Sequence, residues 1–348
     1  MFNISIWCEI SKSKLINNLE IIKSTTNKKI ISVVKGDAYG LGISGVSDII
    51  DETTDMFGVS SLAEANKIDT KKDILIMTPV CDIPDKPKSN HIYTIDSIYD
   101  LVKFNSKENY RVHIYVDTGM NRLGFKVEDI DDFIDNINKN HKNISIEGMY
   151  THLHKATDIL CSKQQIDVLR KLYEKYKNDI DNFHCLNSRG ISNKELREYA
   201  DFTNIARAGN ALYGYDGSNI GLNKVFQVKA RVIKKYMIKE DGQIGYGAKS
   251  SARKGTVVGV IPCGTIDKIG YIRKTATNII KDCLKVIRDS VKKTTYIYYK
   301  GKPVYELCAP NMNCTLVDIT KLSQKEDIIL DLNISSIQLN SDVEKKYI

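Results

Sequence analysis

At 348 residues the chain is long enough to bury a large core and to hold two domains, or one barrel with an addition. Charged residues make up 27% and hydrophobic ones 42%, as in an ordinary soluble globular protein, and the net charge of +8 comes from dispersed lysines, with no basic tract interleaved with aromatics to suggest nucleic-acid binding. No apolar run is long enough to span a membrane, and the opening residues lack the basic-then-apolar order of a signal peptide.

The eight cysteines (Cys8, Cys81, Cys161, Cys185, Cys263, Cys283, Cys308 and Cys314) form no Cys-x-x-Cys pair, and several lie in apolar runs. They read as small, reduced core residues of a cytoplasmic protein, neither a disulfide frame nor a zinc site.

Residues 4–10 alternate as a strand. Ser11 or Ser13 caps a helix that carries Leu15, Leu19 and Ile22 on one face. Residues 30–34, mostly β-branched, suit a buried parallel strand that stops at Lys35 and a glycine-rich turn. Helix is expected at 46–50, strand at 57–61, helix at 62–68, and strand at 74–77, closed by Pro79. Strands follow at 93–95, 110–117, 144–151 and 183–186, with helical stretches at 101–104, 127–137 and 164–176, and the region of Arg207 closes the set. Strand and helix alternate about eight times, the signature of a parallel (β/α)8 barrel of TIM type. From about residue 219 the pattern changes to short β-type runs, at 225–238, 244–248, 256–261, 294–299, 304–307 and 315–319, interrupted by one helix over 277–291. The expected organisation is an α/β barrel over 1–218, followed by a mostly β domain over 219–348.

Lys35 ends its strand at the C-terminal edge, where barrel enzymes place their chemistry. Desolvation between apolar residues lowers an amine's pKa and frees its lone pair for Schiff-base chemistry. A solvated lysine before a loop is the plainer alternative. The run from Val34 to Gly42, Val-Lys-Gly-Asp-Ala-Tyr-Gly-Leu-Gly, resembles the pyridoxal-phosphate lysine motif of the alanine racemase family, with Leu41 in place of the usual histidine.

Further stretches agree with the family in order. Asp117-Thr118-Gly119-Met120-Asn121-Arg122-Leu123-Gly124 resembles its arginine motif, although Tyr115 stands where many members carry a lysine that becomes carbamylated and holds the arginine. Thr151-His152 resembles Thr-His-Phe, with Leu153 in place of the phenylalanine; a lone histidine there could equally be structural. His184-Cys185-Leu186-Asn187-Ser188 and Arg207-Ala208-Gly209-Asn210-Ala211-Leu212-Tyr213-Gly214 resemble its phosphate and pyridine motifs, and Gly245-Tyr246-Gly247-Ala248 its catalytic tyrosine. Read alone, the last is an ordinary tyrosine in a glycine-flanked hairpin. Thr265, Asn313 and Ser341 or Asn340 stand where the family has other residues around the substrate.

The resemblance implies a fold-type III racemase that uses pyridoxal 5'-phosphate (PLP). Lys35 would hold the cofactor and serve one face of the substrate, and Tyr246 of a partner subunit the other, so that a homodimer carries its active sites at the interface. Tyr39, Ser188, Gly209 and Asn210 would bind phosphate, the last two through their backbone amides. Arg207 would face the pyridine nitrogen and His152 would pack near the ring. Arg122 would contact cofactor and substrate carboxylate, and Met312 would help bind the carboxylate. Cationic Arg122 or His152 would lower the Tyr246 pKa. Alanine is the expected substrate. Serine or a larger amino acid, a decarboxylase, and a PLP-binding homologue without turnover are the alternatives.

Overall fold

The computed structural model describes residues 5–79, 83–267, 269, 295–322, 327–336, 339 and 342–348. Two compact units divide the chain: Ser11–Val225, and Met1–Ile10 together with Phe226–Ile348. The division therefore falls after Val225 instead of residue 218, and the opening strand does not belong to the barrel. That strand, β1 (Ile6–Ile10), carries its own pairing partners in the second unit, described below.

In the first unit, β2 (Lys29–Val33), β3 (Met56–Val59), β4 (Ile74–Ile76), β5 (His91–Ile95), β6 (Tyr110–Tyr115), β7 (Ile144–Tyr150), β8 (Asn182–His184) and β9 (Ile205–Ala208) form a closed barrel. All neighbours run parallel, and β2 closes the ring on β9 with Ile31 opposite Arg207. Of the residues in β2 to β5, only Lys29 is exposed. Such two-sided burial is why these segments read as continuous apolar runs without alternation. Ile31, Val33, Met56, Leu75, Ile92 and Ile205 pack as one cluster, with Tyr39 and Met77 against it.

The outer helices follow from spacing and caps. In Lys12–Thr26 the Ser11 side chain accepts from the Lys14 amide, and Asn27 closes the helix in a left-handed conformation, φ 50°. Its buried Leu15, Leu19 and Ile22 each contribute about 1.5–3 kcal/mol. In Ile159–Tyr176 the Asp158 side chain caps the Cys161 amide, while Ile166, Leu169 and Leu172 are buried. Two expected helices are shorter or tighter than their patterns suggest. The one at 62–68 stops at Ala65, and residues 101–103 belong to a 3-10 segment, Ile98–Lys103, with Phe104 just beyond it.

The second unit contains β10 (Phe226–Arg231), β11 (Lys234–Met237), β12 (Gly242–Ile244), β13 (Ser250–Ala252), β14 (Val257–Ile261), β15 (Ile297–Tyr299), β16 (Lys302–Val304), β17 (Thr315–Asp318), β18 (Ile329–Leu332) and β19 (Glu344–Tyr347). One described sheet has the order β16-β15-β18-β10-β1-β19, and a second β11-β14-β17. Cys8 of β1 faces Val228 in antiparallel register and Lys345 in parallel register. The single run expected over 225–238 is two strands belonging to different sheets, and residues 246–248 form a tight turn instead of continuing a strand. The helix expected over 277–291 and the positions Asn340 and Ser341 lie outside the described residues.

Candidate active site at the mouth of the barrel

Lys35 leaves the C-terminal end of β2 into an unusual turn. Gly36, Asp37, Ala38 and Tyr39 all adopt left-handed backbone, with φ from 53° to 64°. For the three non-glycine residues this costs roughly 1–2 kcal/mol each, so the surroundings must hold it. The Glu64 carboxylate does much of that. It accepts from the Gly36 amide at 2.6 Å, the Asp37 amide at 3.4 Å and the Ser60 amide at 2.8 Å. Asp37 Oδ1 in turn accepts from the Ile43 amide at 2.9 Å. Desolvation lowers the Lys35 pKa, and the Arg122 and Arg207 cations lower it further against the opposing pull of Glu64. The consequence is an amine that gives up its proton more readily than an ordinary lysine.

Arg122 sits on the loop after β6. Buried Asp117 organises that loop, accepting from the Gly119 and Asn121 amides at 3.0 Å each and from Lys126 at 2.7 Å. Burial pushes the Asp117 carboxyl up, but Lys126 and the two amides outweigh it and hold the pKa below the usual range. Gly124, at φ 114°, is required there: a Cβ would lie 2.5 Å from the Asp117 amide nitrogen. Arg122 Nη2 reaches the Tyr115 hydroxyl at 3.5 Å. Tyr115 stacks on Tyr150 at 4.8 Å between centroids, and Tyr150 stacks on His184 at 4.6 Å.

Arg207, 4% exposed, is the penultimate residue of β9. Its Nη1 donates to His184 Nδ1 at 2.6 Å and to the His184 carbonyl at 3.2 Å, and its Nη2 donates to the Thr151 carbonyl at 2.6 Å. These acceptors are all neutral, and the guanidinium also lies 5.0 Å from the Tyr150 ring centre. Burial lowers the Arg207 pKa, yet a guanidinium remains charged. Because Nη2 spends one hydrogen on Thr151, another N–H is left for the cavity that Arg207 lines. His152 is pushed down to about 3 by burial, then by Arg207, Arg122 and Lys35. It is therefore a neutral ring, and the expectation that it acts as a cation is corrected: three cations already surround it.

The Ser188 hydroxyl oxygen accepts from the Gly209 and Ala211 amides at 3.0 Å each. With both lone pairs engaged, its own O–H is left to donate. The Gly209 amide, expected to face a phosphate, is thus turned onto Ser188. A Cβ on Gly209 would lie 2.4 Å from the Tyr39 hydroxyl, so the glycine lets that hydroxyl approach the backbone. Burial and then Asp216 raise the Tyr39 pKa to about 12, which keeps the phenol protonated and able to donate. Asn210 Nδ2 donates to Asp216 at 3.1 Å.

Lys35, Tyr39, Arg122, His152, Ser188, Arg207, Gly209 and Asn210 all line one cavity of about 620 Å³. Of the other two candidate residues, Tyr246 lies in the second unit on a turn flanked by Gly245 (φ 82°) and Gly247 (φ 78°), and is 94% exposed. Met312, in the same unit, is 68% exposed, and its carbonyl accepts from the Ile266 amide at 3.1 Å. Sequence reasoning missed Glu64, which has no motif to mark it. It also missed the parts of His184, Tyr150 and Asp216; the first two lie inside or beside quoted motifs, but their stacking depends on β7 and β8 being neighbours.

Similarity to known proteins accords with this geometry. The family model "Alanine racemase, N-terminal domain" matches residues 10–217, and "Alanine racemase, C-terminal domain" matches residues 225–341. The alanine racemase of Clostridium kluyveri is 30% identical over 97% of this chain and 87% of its own length. That of Aquifex aeolicus is 26% identical over 91% of this chain and 86% of its own. Among solved structures, the alanine racemase of Clostridium difficile 630 superposes with a TM-score of 0.79 at 24% identity, covering 99% of this chain and 89% of its own. That of Streptomyces lavendulae does so with a TM-score of 0.79 at 15% identity, covering 100% and 98%. With both family domains matched in order across nearly its whole length, the chain belongs to the alanine racemase family.

Proposed function

We propose that this protein is a PLP-dependent alanine racemase, an isomerase that interconverts L- and D-alanine. The observation that carries the reading is the convergence on one cavity of a lysine with a lowered pKa, an arginine whose hydrogen-bond acceptors are all neutral, and a serine hydroxyl left free to donate. Those donors suit the cofactor. Ser188, Tyr39 and Asn210 would hold its phosphate, with Gly209 keeping Tyr39 and Ser188 in place. Arg207 would face the pyridine nitrogen; as a permanent donor it keeps that nitrogen unprotonated. Lys35 would carry the cofactor. When bound, PLP supplies the electron withdrawal that acidifies the substrate's α-carbon.

Racemisation requires a proton to leave one face of that carbon and another to arrive on the opposite face. Lys35 Nζ would exchange the proton on one face, aided by the desolvation and cations that lower its pKa. The Tyr246 hydroxyl of a second copy would serve the other, a role that suits its exposure on a glycine-flanked turn. The assembly would thus be a homodimer with active sites at its interface. Arg122 would bind the substrate carboxylate, with the Tyr115 hydroxyl as its neighbour and Met312 contributing backbone. His152, neutral, would pack beside the ring without competing for anions. No described helix is long and apolar enough to cross a membrane. A cytoplasmic setting suits the six described cysteines, all free.

The test is chiral chromatography of L-alanine incubated with the protein and added PLP. D-alanine should accumulate with the wild-type chain and not with Lys35→Ala. Its absence from a sample that visibly binds PLP would contradict the reading.

A further inference from the structure

At the rim of the same cavity, His154 Nε2 lies 3.5 Å from the Sγ of Cys161. Four contacts settle which imidazole nitrogen carries the proton. Gln165, 2% exposed, donates through Nε2 to the His152 carbonyl at 3.1 Å and to Thr118 Oγ1 at 3.0 Å. A carbonyl only accepts, so the amide orientation is fixed and Gln165 Oε1 must be an acceptor. That oxygen takes the His154 amide at 3.1 Å and His154 Nδ1 at 3.1 Å. Nδ1 therefore carries the ring proton in neutral His154, and Nε2 presents its lone pair to the thiol. Buried Gln165 orients the base, as the third member of a nucleophile–base–orienter arrangement does.

The backbone adds to this. Cys161 lies in the first turn of an 18-residue helix, at the positive end of its backbone dipole. The nearby Asp158 carboxylate is paired with Lys155 at 3.1 Å, which offsets its repulsion of a thiolate. Cys161 is part-exposed, whereas Cys8, Cys185 and Cys263 are buried, and burial pushes the Cys185 thiol up to about 12. None of the racemase roles assigned above uses Cys161, His154 or Gln165.

We propose that Cys161 and His154 form a nucleophilic thiol–imidazole pair, a modification site for small hydroperoxides beside the active-site entrance. In the step, the Cys161 S–H proton passes to His154 Nε2 and the sulfur attacks one peroxide oxygen. An S–O bond forms as the O–O bond breaks, and the departing hydroxide takes the proton from His154 as water. Sulfur is oxidised by two electrons to the sulfenic acid, and the peroxide is reduced.

The experiment treats the full chain with hydrogen peroxide and traps sulfenic acid with a cyclic diketone. In parallel, iodoacetamide labelling is timed at each cysteine by peptide mass spectrometry. Cys161 is expected to label about 10-fold faster than Cys308 and Cys314, which are also part-exposed, and to carry the diketone adduct. In His154→Phe its rate should fall to theirs, while buried Cys185 stays unlabelled and so reports an intact fold. Cys161 reacting no faster than Cys308 and Cys314, or keeping its rate in folded His154→Phe, would overturn the proposal. Both readouts are independent of racemase turnover.

Discussion

Arg207 donates to His184 Nδ1 at 2.6 Å, and this one bond sets the protonation of a chain of rings through the barrel. His184 must offer a lone pair at Nδ1, so its hydrogen sits on Nε2, which then donates to His113 Nδ1 at 3.0 Å. The last hydrogen rests on His113 Nε2, a buried atom with no hydrogen-bond partner among the described residues. A cation at the mouth is thus supported by two neutral imidazoles, with no carboxylate bonded to it among the described residues.

Replacing His184 by Phe keeps a ring to stack on Tyr150 but leaves the buried guanidinium without one of its two shortest hydrogen bonds. The expected loss is about 2–3 kcal/mol, typical of a hydrogen bond to a buried charge. Urea denaturation should show a lower midpoint with an unchanged slope.

The same rings make stability depend on pH. His113 and His152 are pushed down to about 3, chiefly by burial, and His184 also lies well below its ordinary value. Below about pH 6.5 the unfolded chain takes up protons that the folded chain refuses. Stability should therefore be complete above about pH 6.5 and fall as pH drops toward 4, by up to about 1.4 kcal/mol per pH unit for each histidine. Urea midpoints measured at about pH 7 and pH 5 check this, both lying above the ordinary carboxylate pKa values of about 4. Equal midpoints would contradict it.

Glu64→Gln tests the support of the left-handed turn. The amide keeps a single acceptor oxygen, so it can serve the Gly36 amide or the Ser60 amide, which bond to separate oxygens of Glu64, but not both. The turn should loosen by about 1 kcal/mol. Loss of Glu64's charge should also let the Lys35 pKa fall further, since that carboxylate opposes the lowering. A thermal melt reads the first effect, and the pH dependence of PLP absorbance the second.

Gly209→Ala places a methyl 2.4 Å from the Tyr39 hydroxyl oxygen. Tyr39 or the segment of Gly209 and Asn210 must move, and Tyr39 and Asn210 are proposed to hold the phosphate. PLP titration followed by absorbance should show affinity weakened by about 10-fold, the loss of roughly one charge-assisted hydrogen bond. Overall stability should change less than in His184→Phe.

The barrel was legible because strands such as β2, β3 and β4 are buried on both faces and so leave near-continuous apolar runs, as in 30–34 before Lys35. The site was legible where a motif follows such a run directly, as Arg122 and His152 do. Placement of the opening strand was not legible, because residues 4–10 look the same whether they pair in a barrel or with β10 and β19. Nor was the left-handed turn at Gly36–Tyr39, since Asp37, Ala38 and Tyr39 carry no intrinsic preference for it; Glu64, far along the chain, helps impose it. The neutral state of His152 was missed for a similar reason: it depends on Arg207, Arg122 and Lys35 meeting in space.

The most direct measurement of the central claim is α-proton exchange in heavy water, followed by proton NMR on L-alanine with PLP-loaded protein. The α-proton signal should disappear with the wild-type chain, together with appearance of D-alanine, and persist with Lys35→Ala. Tyr246→Phe should slow formation of the opposite enantiomer strongly, because inversion needs a proton-exchanging group on each face. Retention of the α-proton by a PLP-loaded wild-type protein would contradict the racemase account.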